Sequence, residues 1–334
     1  MDFRAIWKVS DKVKLIFTRK IFSNQSGVAL ISVMLLLAIL VTLIAYMLES
    51  QYLIIRQTSL VADDEKSYLE NMQLESWAIN LLKKEKVVAE IKEKFNRDVL
   101  TESWAEEKFD QKEGAISKSA YLIDLQGRFN INNLVQGRQQ SWYNVFKRLL
   151  TVLEIDPNLT DSIVDWIDED GNPISANGAE DLDYLSQSPP SRTANQRIST
   201  TDELLNIKGI TPEIFRVLAP HISAINDDNV KVNMNTATLE ILKALLPNGQ
   251  AGGAEQFVEL RSNGFDSIEQ VLQSDALAGS GDSLKSLIDV KSQYFEMNGL
   301  VKLNDSEKHF KSGIRRELID GKLKLAVFYR KREL

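Results

Sequence analysis

The longest uninterrupted apolar segment lies near the start of the chain, at residues 28–48, with the sequence VALISVMLLLAILVTLIAYML. It contains no charged residue, and about 20 apolar residues in a helix are enough to cross the hydrocarbon core of a membrane. Beyond it, apolar side chains recur every three or four positions, and residues 28–97 contain no glycine or proline. The pattern predicts one helix over residues 28–97, with a membrane span at 28–48 and an amphipathic remainder that docks on a folded domain.

Alternation of apolar and polar positions, which is typical of strands, occurs in two distant parts of the chain. Residues 115–125 alternate, and residues 322–330 (KLKLAVFYR) alternate directly after the turn-forming pair Asp320-Gly321. The long stretch between them has the pattern of short helices and loops. We therefore predict an α+β fold, in which one antiparallel sheet is built from residues 98–133 and 292–334 and carries an inserted helical domain at residues 134–291.

The composition disfavours an enzyme. The chain has 334 residues, no cysteine and only two histidines, His221 and His309. Disulfides, thiolate zinc sites, iron–sulfur clusters and thiol nucleophiles are thereby excluded, and little remains for histidine chemistry. The sequence also lacks the G-x-S-x-G, Walker, H-E-x-x-H and G-x-G-x-x-G motifs. We expect no catalytic site.

Charge is distributed unevenly along the chain, whose net charge is −7. Residues 1–27 hold six basic and two acidic side chains, so the remainder carries a net charge of −11. Basic residues before a span and acidic residues after it predict a cytoplasmic N-terminus. The bulk of the chain is then expected on the far side of the membrane, and its acidic character disfavours nucleic acid as a partner.

The junction between Gly27 and Val28 separates two interpretations of the N-terminus. The polar residues 23–26 precede the apolar segment rather than follow it, unlike a plain signal peptide. An uncleaved signal anchor fits the hydropathy equally well. A polar, basic leader that ends in glycine and is followed by an apolar helix resembles a type IV prepilin-like leader. The resemblance implies that a prepilin peptidase cuts after Gly27 and that Val28 begins the mature chain.

Ser32 departs from the usual pilin pattern. Pilins of this kind carry glutamate as the fifth residue of the mature chain, and counting from Val28 that position is Ser32. A carboxylate inside a bilayer needs a partner to persist. A subunit without it looks unlike a repeating major component. Ser32 is therefore a marker that points, by resemblance, to the minor pseudopilin K of type II secretion.

Five internal motifs extend this resemblance along most of the chain. They are DLQGRFNINNL (124–134), DWIDEDGNP (165–173), GAEDLDYL (178–185), SRTANQRISTTDELLNIKGIT (191–211) and VNMNTA (232–237). The resemblance implies a single-pass inner-membrane protein, mostly periplasmic, with a pilin-like sheet and a large helical insertion. It also implies a minor pseudopilin at the tip of the pseudopilus, which joins minor pseudopilins I and J and helps to start assembly.

An acidic cluster is the strongest candidate for ligand chemistry. Residues 161–183 contain eight carboxylates and no lysine or arginine. Such a cluster is either a solvated acidic surface loop or is neutralised by a cation, and oxygen ligands of this kind suit Ca²⁺. The pattern copies the first half of an EF-hand loop, but the glycine comes early and Ala179 occupies the twelfth position. The predicted ligands of a structural Ca²⁺ are Asp168, Asp170, Glu180 and Asp181, with Asp183 and Asn172 or backbone oxygens as auxiliary ligands. Calcium binding at acidic loops is also implied by the family resemblance.

A second class of function is suggested by two segments of the helical insertion. Residues 204–211 (LLNIKGIT) resemble the turn of a helix-hairpin-helix unit, and residues 232–247 with 257–272 resemble the SAM-like unit of DNA-uptake proteins. Such units bind phosphate through backbone N–H groups, helped by basic residues. Residues 231–275 instead carry three basic and six acidic side chains. A membrane-anchored DNA-binding or DNA-uptake protein is thus the alternative, and packing modules are the favoured interpretation.

Overall fold

The computed structural model divides the chain into two compact units, Met1–Glu65 and Lys66–Leu334. Residues 1–25 of the predicted leader (1–27) and residues 85–96 of the predicted helix (28–97) lie outside the described residues. The structure describes residues 26–84, 97–139, 141–227, 229–246, 252–277, 284–304, 306–320 and 322–333.

The helices and strands have the following bounds. The helices are α1 Ser26–Lys84, α2 Ser103–Glu106, α3 Ser141–Val152, α4 Leu159–Ile167, α5 Asp181–Leu185, α6 Pro212–Leu218, α7 Leu239–Leu245, α8 Gly252–Leu260 and α9 Ile268–Leu272. The strands are β1 Phe109–Glu113, β2 Ile116–Asp124, β3 Phe129–Asn130, β4 Ile222–Ser223, β5 Val232–Asn233, β6 Ile288–Asp289, β7 Tyr294–Leu303, β8 Ser306–Ile319 and β9 Lys322–Glu333.

Helix α1 confirms the long apolar N-terminal helix. It contains 59 residues without interruption, in keeping with the absence of glycine and proline after Gly27. Its first part is long and apolar enough to cross a membrane, and none of that part is buried. Large apolar side chains from Val28 to Leu48 are all exposed. A helix segment of this length and apolar character meets the requirements of a membrane span.

A five-stranded antiparallel sheet forms the base of the larger unit, with the order β1-β2-β7-β8-β9. Alternate residues of β2 and β7 point to the same face because side chains on a strand alternate between faces. On that face, Leu122 lies opposite Met297 in the register. The last part of α1 packs there through Leu74, Ala78, Leu81 and Leu82, against Ala120, Leu122, Phe295, Met297, Val301, Phe310 and Ile314.

One carboxylate fixes the register of α1 on the sheet. Glu75 is 4% exposed and lies in the middle of this apolar interface. Arg330 of β9 donates from Nε to Glu75 Oε1 at 2.8 Å and from Nη2 to Oε2 at 2.9 Å. Ser312 of β8 donates to Oε1 at 2.6 Å. Because a buried charge requires such partners, sliding the helix by one turn would leave Glu75 unsatisfied.

The helical region is inserted between two strands that are neighbours in the sheet. Strand β2 ends at Asp124 and its partner β7 begins at Tyr294, so the helices lie between these residues. The region has a hydrophobic core of its own. Helix α3 contributes one buried face to this core: Trp142, Phe146 and Leu149 lie on the same side of the helix and are each at most 2% exposed. Burial of a large apolar side chain contributes roughly 1.5–3 kcal/mol.

Three asparagines in the NINN motif organise the start of this region. Asn130, Asn132 and Asn133 are each at most 1% exposed. Each side-chain amide donates to a backbone carbonyl and accepts from a backbone N–H, as the backbone of a strand does. Asn132 accepts from the Ile198 N–H at 2.8 Å and donates to the Ile225 carbonyl at 2.9 Å, and Asn133 pairs in both directions with the backbone of Val230. The motif therefore holds distant loops by satisfying their buried backbone groups.

The predicted helix-hairpin-helix units are described only in part. Before the turn at Gly209 the chain forms a 3₁₀ helix, Thr201–Asn206, and α6 follows the turn. Gly209 has a φ of +89°, a conformation that favours glycine. In the second segment, α7 and α8 flank residues 247–251, which lie outside the described residues. The hairpin detail therefore stays a prediction.

A buried polar junction joins the sheet to the helical region. Asp124, at the end of β2, accepts at Oδ2 from Ser292 Oγ and Thr236 Oγ1, each at 2.5 Å, and at Oδ1 from the Gln126 N–H at 2.8 Å. Burial raises the pKa of this carboxyl, and the three donors oppose the rise.

Beside Asp124 lies a buried ion pair that ties together three parts of the chain. Asp98 and Arg316 of β8 are 2.5 Å apart, with each side chain 2% exposed. The Ser292 N–H donates to Asp98 Oδ2 at 2.7 Å, and Arg316 Nη2 donates to the Ser292 carbonyl at 2.9 Å. The segment that returns to the sheet is thus held by both members of the pair.

We predict that Asp98→Asn destabilises the larger unit strongly. The substitution leaves the Arg316 guanidinium buried without its counter-charge, which costs about 3–5 kcal/mol in comparable buried pairs. Thermal unfolding of the detergent-solubilised full chain, followed by circular dichroism, measures the loss.

Arg97→Gln is the matched control, because Arg97 forms an exposed ion pair with Asp266 in which the side chains are 35% and 64% exposed. Its effect is expected to stay below about 1 kcal/mol. Equal shifts for the two variants would show that the buried pair is not a structural tie.

Candidate functional site

The acidic cluster of the sequence lies where α4 ends, in the loop that leads to α5. The polar face of α4 is also buried: Asp161 is 2% exposed and Asp165 is 0% exposed. Asp161 accepts from the Tyr143 hydroxyl, and from Ser175 Oγ at 2.5 Å. Asp165 accepts from the backbone N–H groups of Ile174 and Ala179, at 2.9 and 2.8 Å. Through these hydrogen bonds, the two aspartates hold the loop against the end of α4.

The carboxylates of Asp168 and Glu180 repel each other, and both contain buried oxygen atoms that accept no hydrogen bond from the described residues. Glu180 is 4% exposed, and neither of its carboxylate oxygens receives a hydrogen bond from the described residues. Asp168 Oδ1 is likewise buried and receives no hydrogen bond from the described residues. Among the described residues, Asp170 Oδ1 accepts only from the nearby Asn172, from its N–H at 2.8 Å and its side-chain amide at 3.2 Å. Buried acceptors without donors are uncommon in folded proteins.

The electrostatics of these groups follow from their burial. Burial raises the pKa of Glu180 to about 7, and repulsion from Asp165, Asp168 and Asp170 adds to the rise. Burial, with repulsion from Asp170 and Asp165, raises the pKa of Asp168 to about 6. Burial also raises the pKa of Asp165. Three predicted ligands, Asp168, Asp170 and Glu180, therefore lie near enough for their charges to repel one another.

The other two predicted ligands, Asp181 and Asp183, have basic partners. Asp181 accepts from Thr193 Oγ1 at 2.9 Å and pairs with Arg192 at 3.0 Å, and the Thr193 hydrogen bond is the main cause of its lowered pKa. Asp183 pairs with Lys208 at 2.6 Å, which lowers its pKa. The fold thus brings in cations from outside residues 161–183, and the place of Asp181 and Asp183 in the ligand set stays a prediction.

Asp165 belongs to the same group of mutually repelling carboxylates although the predicted ligand set omitted it. It lies one helical turn before Asp168, so both carboxylates emerge on the same side of the end of α4. That spacing is the signal in the sequence that could have included it. In the part of the chain that the structure describes, no three His, Cys, Asp or Glu side chains converge into a ready-made metal site. Ca²⁺ accepts carboxylate and backbone oxygens in flexible arrangements, and the calcium site stays a prediction.

The predicted processing site falls at the beginning of the described residues. Gly27 and Val28 lie in the first turn of α1, and a side chain added at Gly27 would meet nothing within 4 Å. The Ser32 hydroxyl donates to the Val28 carbonyl at 2.9 Å. A serine is therefore satisfied within its own helix, whereas a carboxylate at this depth would need an external partner.

Comparison with known proteins agrees with the fold. Two family models, both described as "Type II secretion system (T2SS), protein K", match residues 127–227 and 232–291. The type II secretion system protein K of Pseudomonas aeruginosa is 31% identical over 311 residues, covering 90% of this chain and 92% of that protein. Protein K of Aeromonas hydrophila is 28% identical over 322 residues, covering 86% and 92%.

A solved structure has the same architecture. The crystal structure of the GspK-GspI-GspJ complex from enterotoxigenic Escherichia coli contains a chain with a TM-score of 0.72 and 22% sequence identity, covering 83% of this chain and 99% of that one. The sequence matches and the fold define a component of the type II secretion system, and thus of protein transport. More particularly, the chain belongs to the type II secretion system protein K family.

We predict that Gly178→Ala disrupts the acidic loop. A Cβ at this position would lie 1.9 Å from Asp165 Oδ2, so the carboxylate must move and release the N–H groups that it binds. The expected cost is about 1–3 kcal/mol, measured as a lower midpoint of thermal unfolding.

Gly171→Ala is the matched control in the same loop, since a Cβ there would meet nothing within 4 Å. Its melting temperature should remain close to that of the parent protein. An unchanged midpoint for Gly178→Ala would contradict the role given to Asp165 in folding the loop.

Proposed function

We propose that the chain is a minor pseudopilin at the tip of the type II secretion pseudopilus, where it joins minor pseudopilins I and J and helps to start assembly. The observation that carries the proposal is the helical region inserted between β2 and β7 of a small antiparallel sheet. This arrangement matches the chain from the GspK-GspI-GspJ complex over nearly all of that chain's length. In this role the protein acts by assembly rather than by catalysis.

The N-terminal helix supplies the anchor. The proposed topology is a single pass through the inner membrane with the N-terminus in the cytoplasm, as basic residues before the span favour. The folded unit from Lys66 onward then lies in the periplasm. A prepilin peptidase removes residues 1–27, so that Val28 becomes the new N-terminus. Ser32, which lacks a carboxylate, suits a subunit with no other subunit above it.

The DNA-uptake alternative has less support. The turn of the second hairpin segment lies outside the described residues, and the first segment has a 3₁₀ helix in place of its first α-helix. The net acidic charge of residues 231–275 would also repel phosphate. Those residues are better explained as part of the core of the helical region, to which Ile241, Leu242 and Leu245 contribute.

Replacement of Gly27 tests the anchor and the function together. In a strain that lacks the gene, the parent protein should restore secretion, with Val28 as the first residue on N-terminal sequencing. Gly27→Leu should accumulate as an unprocessed membrane-bound precursor and should not restore secretion, because a bulky side chain replaces the small residue before the cut. Full secretion by an uncut Gly27→Leu precursor would contradict the processing proposal, and full secretion by the deletion strain would contradict the function.

For the acidic loop, we propose that Asp165, Asp168, Asp170 and Glu180 hold a structural Ca²⁺. The support is the buried Glu180 carboxylate without donors and the raised pKa of its neighbours. A divalent cation would neutralise these charges and join the end of α4 to the start of α5. Histidine and cysteine are absent from this group of carboxylates, which disfavours zinc.

Two double variants separate the proposed ligands from their acidic neighbours. Ca²⁺ should raise the melting temperature of the parent protein relative to EDTA, since binding to the folded state adds about 2.7 kcal/mol at one hundred times Kd. Asp170→Asn with Glu180→Gln should abolish this difference. Asp181→Asn with Asp183→Asn is the control: it should lower the melting temperature in both buffers and keep the difference.

Identical melting of the parent protein in Ca²⁺ and in EDTA would show that the loop is only an acidic surface. Loss of the calcium effect in the control variant would return Asp181 and Asp183 to the ligand set. Mg²⁺ should stabilise less than Ca²⁺, because it requires stricter octahedral geometry.

A further inference from the structure

The acidic loop contains two dipeptides that are chemically reactive by themselves, Asp170-Gly171 and Asn177-Gly178. In such a pair, the backbone nitrogen of the glycine can attack the γ-carbon of the preceding side chain, because glycine has no Cβ that obstructs the approach or restricts the backbone. The two atoms meet only when the peptide that joins the residues can rotate. Folding therefore decides which of the two dipeptides reacts.

The peptide between Asn177 and Gly178 is held on both sides. Ser162 Oγ donates to the Asn177 carbonyl at 2.9 Å, and the Gly178 N–H donates to the Ser175 carbonyl at 3.0 Å. Gly178 is also buried, and a Cβ there would lie only 1.9 Å from Asp165 Oδ2. The attacking nitrogen is thus occupied by a hydrogen bond, and the peptide has no room to rotate.

The peptide between Asp170 and Gly171 is open. Both residues are exposed, and a Cβ at Gly171 would meet nothing within 4 Å. Within the described residues, neither the Asp170 carbonyl nor the Gly171 N–H makes a backbone hydrogen bond. The Asn172 N–H donates to Asp170 Oδ1 at 2.8 Å, which folds the carboxyl group back over the peptide between them. The γ-carbon is therefore held close to the nitrogen that attacks it.

Charge repulsion favours the same reaction. The Asp170 carboxylate repels the carboxylates of Asp168, which is half-buried, and of Glu180, which is buried. The cyclic imide that the attack forms carries no charge. Closure of the ring therefore removes one of the charges that repel one another in this loop.

We propose that Asp170 is a site of spontaneous isomerisation to isoaspartate, whereas Asn177 in the same loop is protected from deamidation. The Asp170 carboxyl group takes a proton from solvent, its hydroxyl leaves as water with the amide proton of Gly171, and the Gly171 nitrogen bonds to the γ-carbon. Water then adds to the main-chain carbonyl carbon of Asp170 and breaks its bond to that nitrogen. The new α-carboxyl group returns the proton, so the product contains the same atoms as the starting chain.

Isomerisation lengthens the loop and moves a charge. The main chain then runs through the β-carbon of residue 170, which adds one atom to the backbone between Asp168 and Asn172. The carboxylate is attached to the α-carbon instead of the β-carbon, so it no longer occupies the position from which it accepts from Asn172. The reaction does not depend on the proposed calcium site, and the test is therefore made without divalent cations.

Mass spectrometry of the aged protein tests the proposal. The full chain is incubated in detergent with EDTA at neutral pH and growth temperature, and is sampled over several weeks. Trypsin cuts after Arg148 and Arg192 and leaves residues 149–192 as one peptide that contains both dipeptides. Electron-transfer fragmentation distinguishes isoaspartate from aspartate at residue 170, and an increase in mass reports deamidation of Asn177. Isoaspartate should accumulate at residue 170 while Asn177 stays intact.

A synthetic peptide with the sequence of residues 165–183 provides the reference for a flexible chain. In this peptide Asn177 should react before Asp170, because ammonia leaves a neutral amide more readily than water leaves a carboxyl group that is mostly ionised. The folded protein should reverse that order. Absence of isoaspartate at residue 170 after the time in which the peptide forms it would overturn the proposal, as would equally fast deamidation of Asn177 in both samples.

Two variants test the geometry. Gly171→Ala should slow the isomerisation several-fold, because the added methyl group obstructs the attacking nitrogen, and its melting temperature should stay that of the parent protein. Ser162→Ala should release the Asn177 carbonyl and increase deamidation there, with the rate at residue 170 unchanged. An unaltered isomerisation rate in Gly171→Ala would contradict the mechanism. If Ser162→Ala does not fold, Gly171→Ala carries the test.

Discussion

The buried polar junction around Ser292 is the constraint on which the rest of the larger unit depends. A sheet that is interrupted by a long insertion needs its two broken ends held together, and the apolar contacts of either core do not specify how. Asp98 and Arg316 bind the backbone of Ser292 from both sides, while Asp124 binds its hydroxyl. Because buried polar groups must be paired with good geometry, this network permits one arrangement of the sheet relative to the helical region.

Polar side chains also set positions elsewhere in the larger unit. Glu75 defines how far along the sheet α1 sits, and the asparagines of the NINN motif define where loops from distant parts of the chain lie. Apolar packing supplies most of the stabilisation, but it tolerates shifts more readily than a buried hydrogen bond does. Register in this protein is therefore determined by a small number of buried polar contacts placed inside two hydrophobic cores.

The acidic loop contains a group that the described residues leave unsatisfied. The Glu180 carboxylate is buried and accepts no hydrogen bond from them. Its burial and the repulsion from Asp165 and Asp168 raise its pKa to about 7. Because a buried acceptor without a donor is costly in a folded chain, this loop carries the calcium proposal.

Local sequence patterns by themselves determined the parts of this protein that depend on neighbours along the chain. The uncharged segment 28–48 gives a helix that suits lipid, alternation in β2 and β9 gives strands, and the acidic residues between Asp165 and Glu180 give an electronegative loop. Each follows from spacing or charge density within a few turns of chain. The family resemblance rested on the same local motifs, and the match to protein K confirms it.

Only the tertiary structure decided which charges meet. Asp181 and Asp183 looked like ligands because residues 161–183 contain no cation, but Arg192 and Lys208 reach them from later in the chain. Electrostatic partners are set by distance in space, and pairs separated by long loops leave no periodic signal in the sequence.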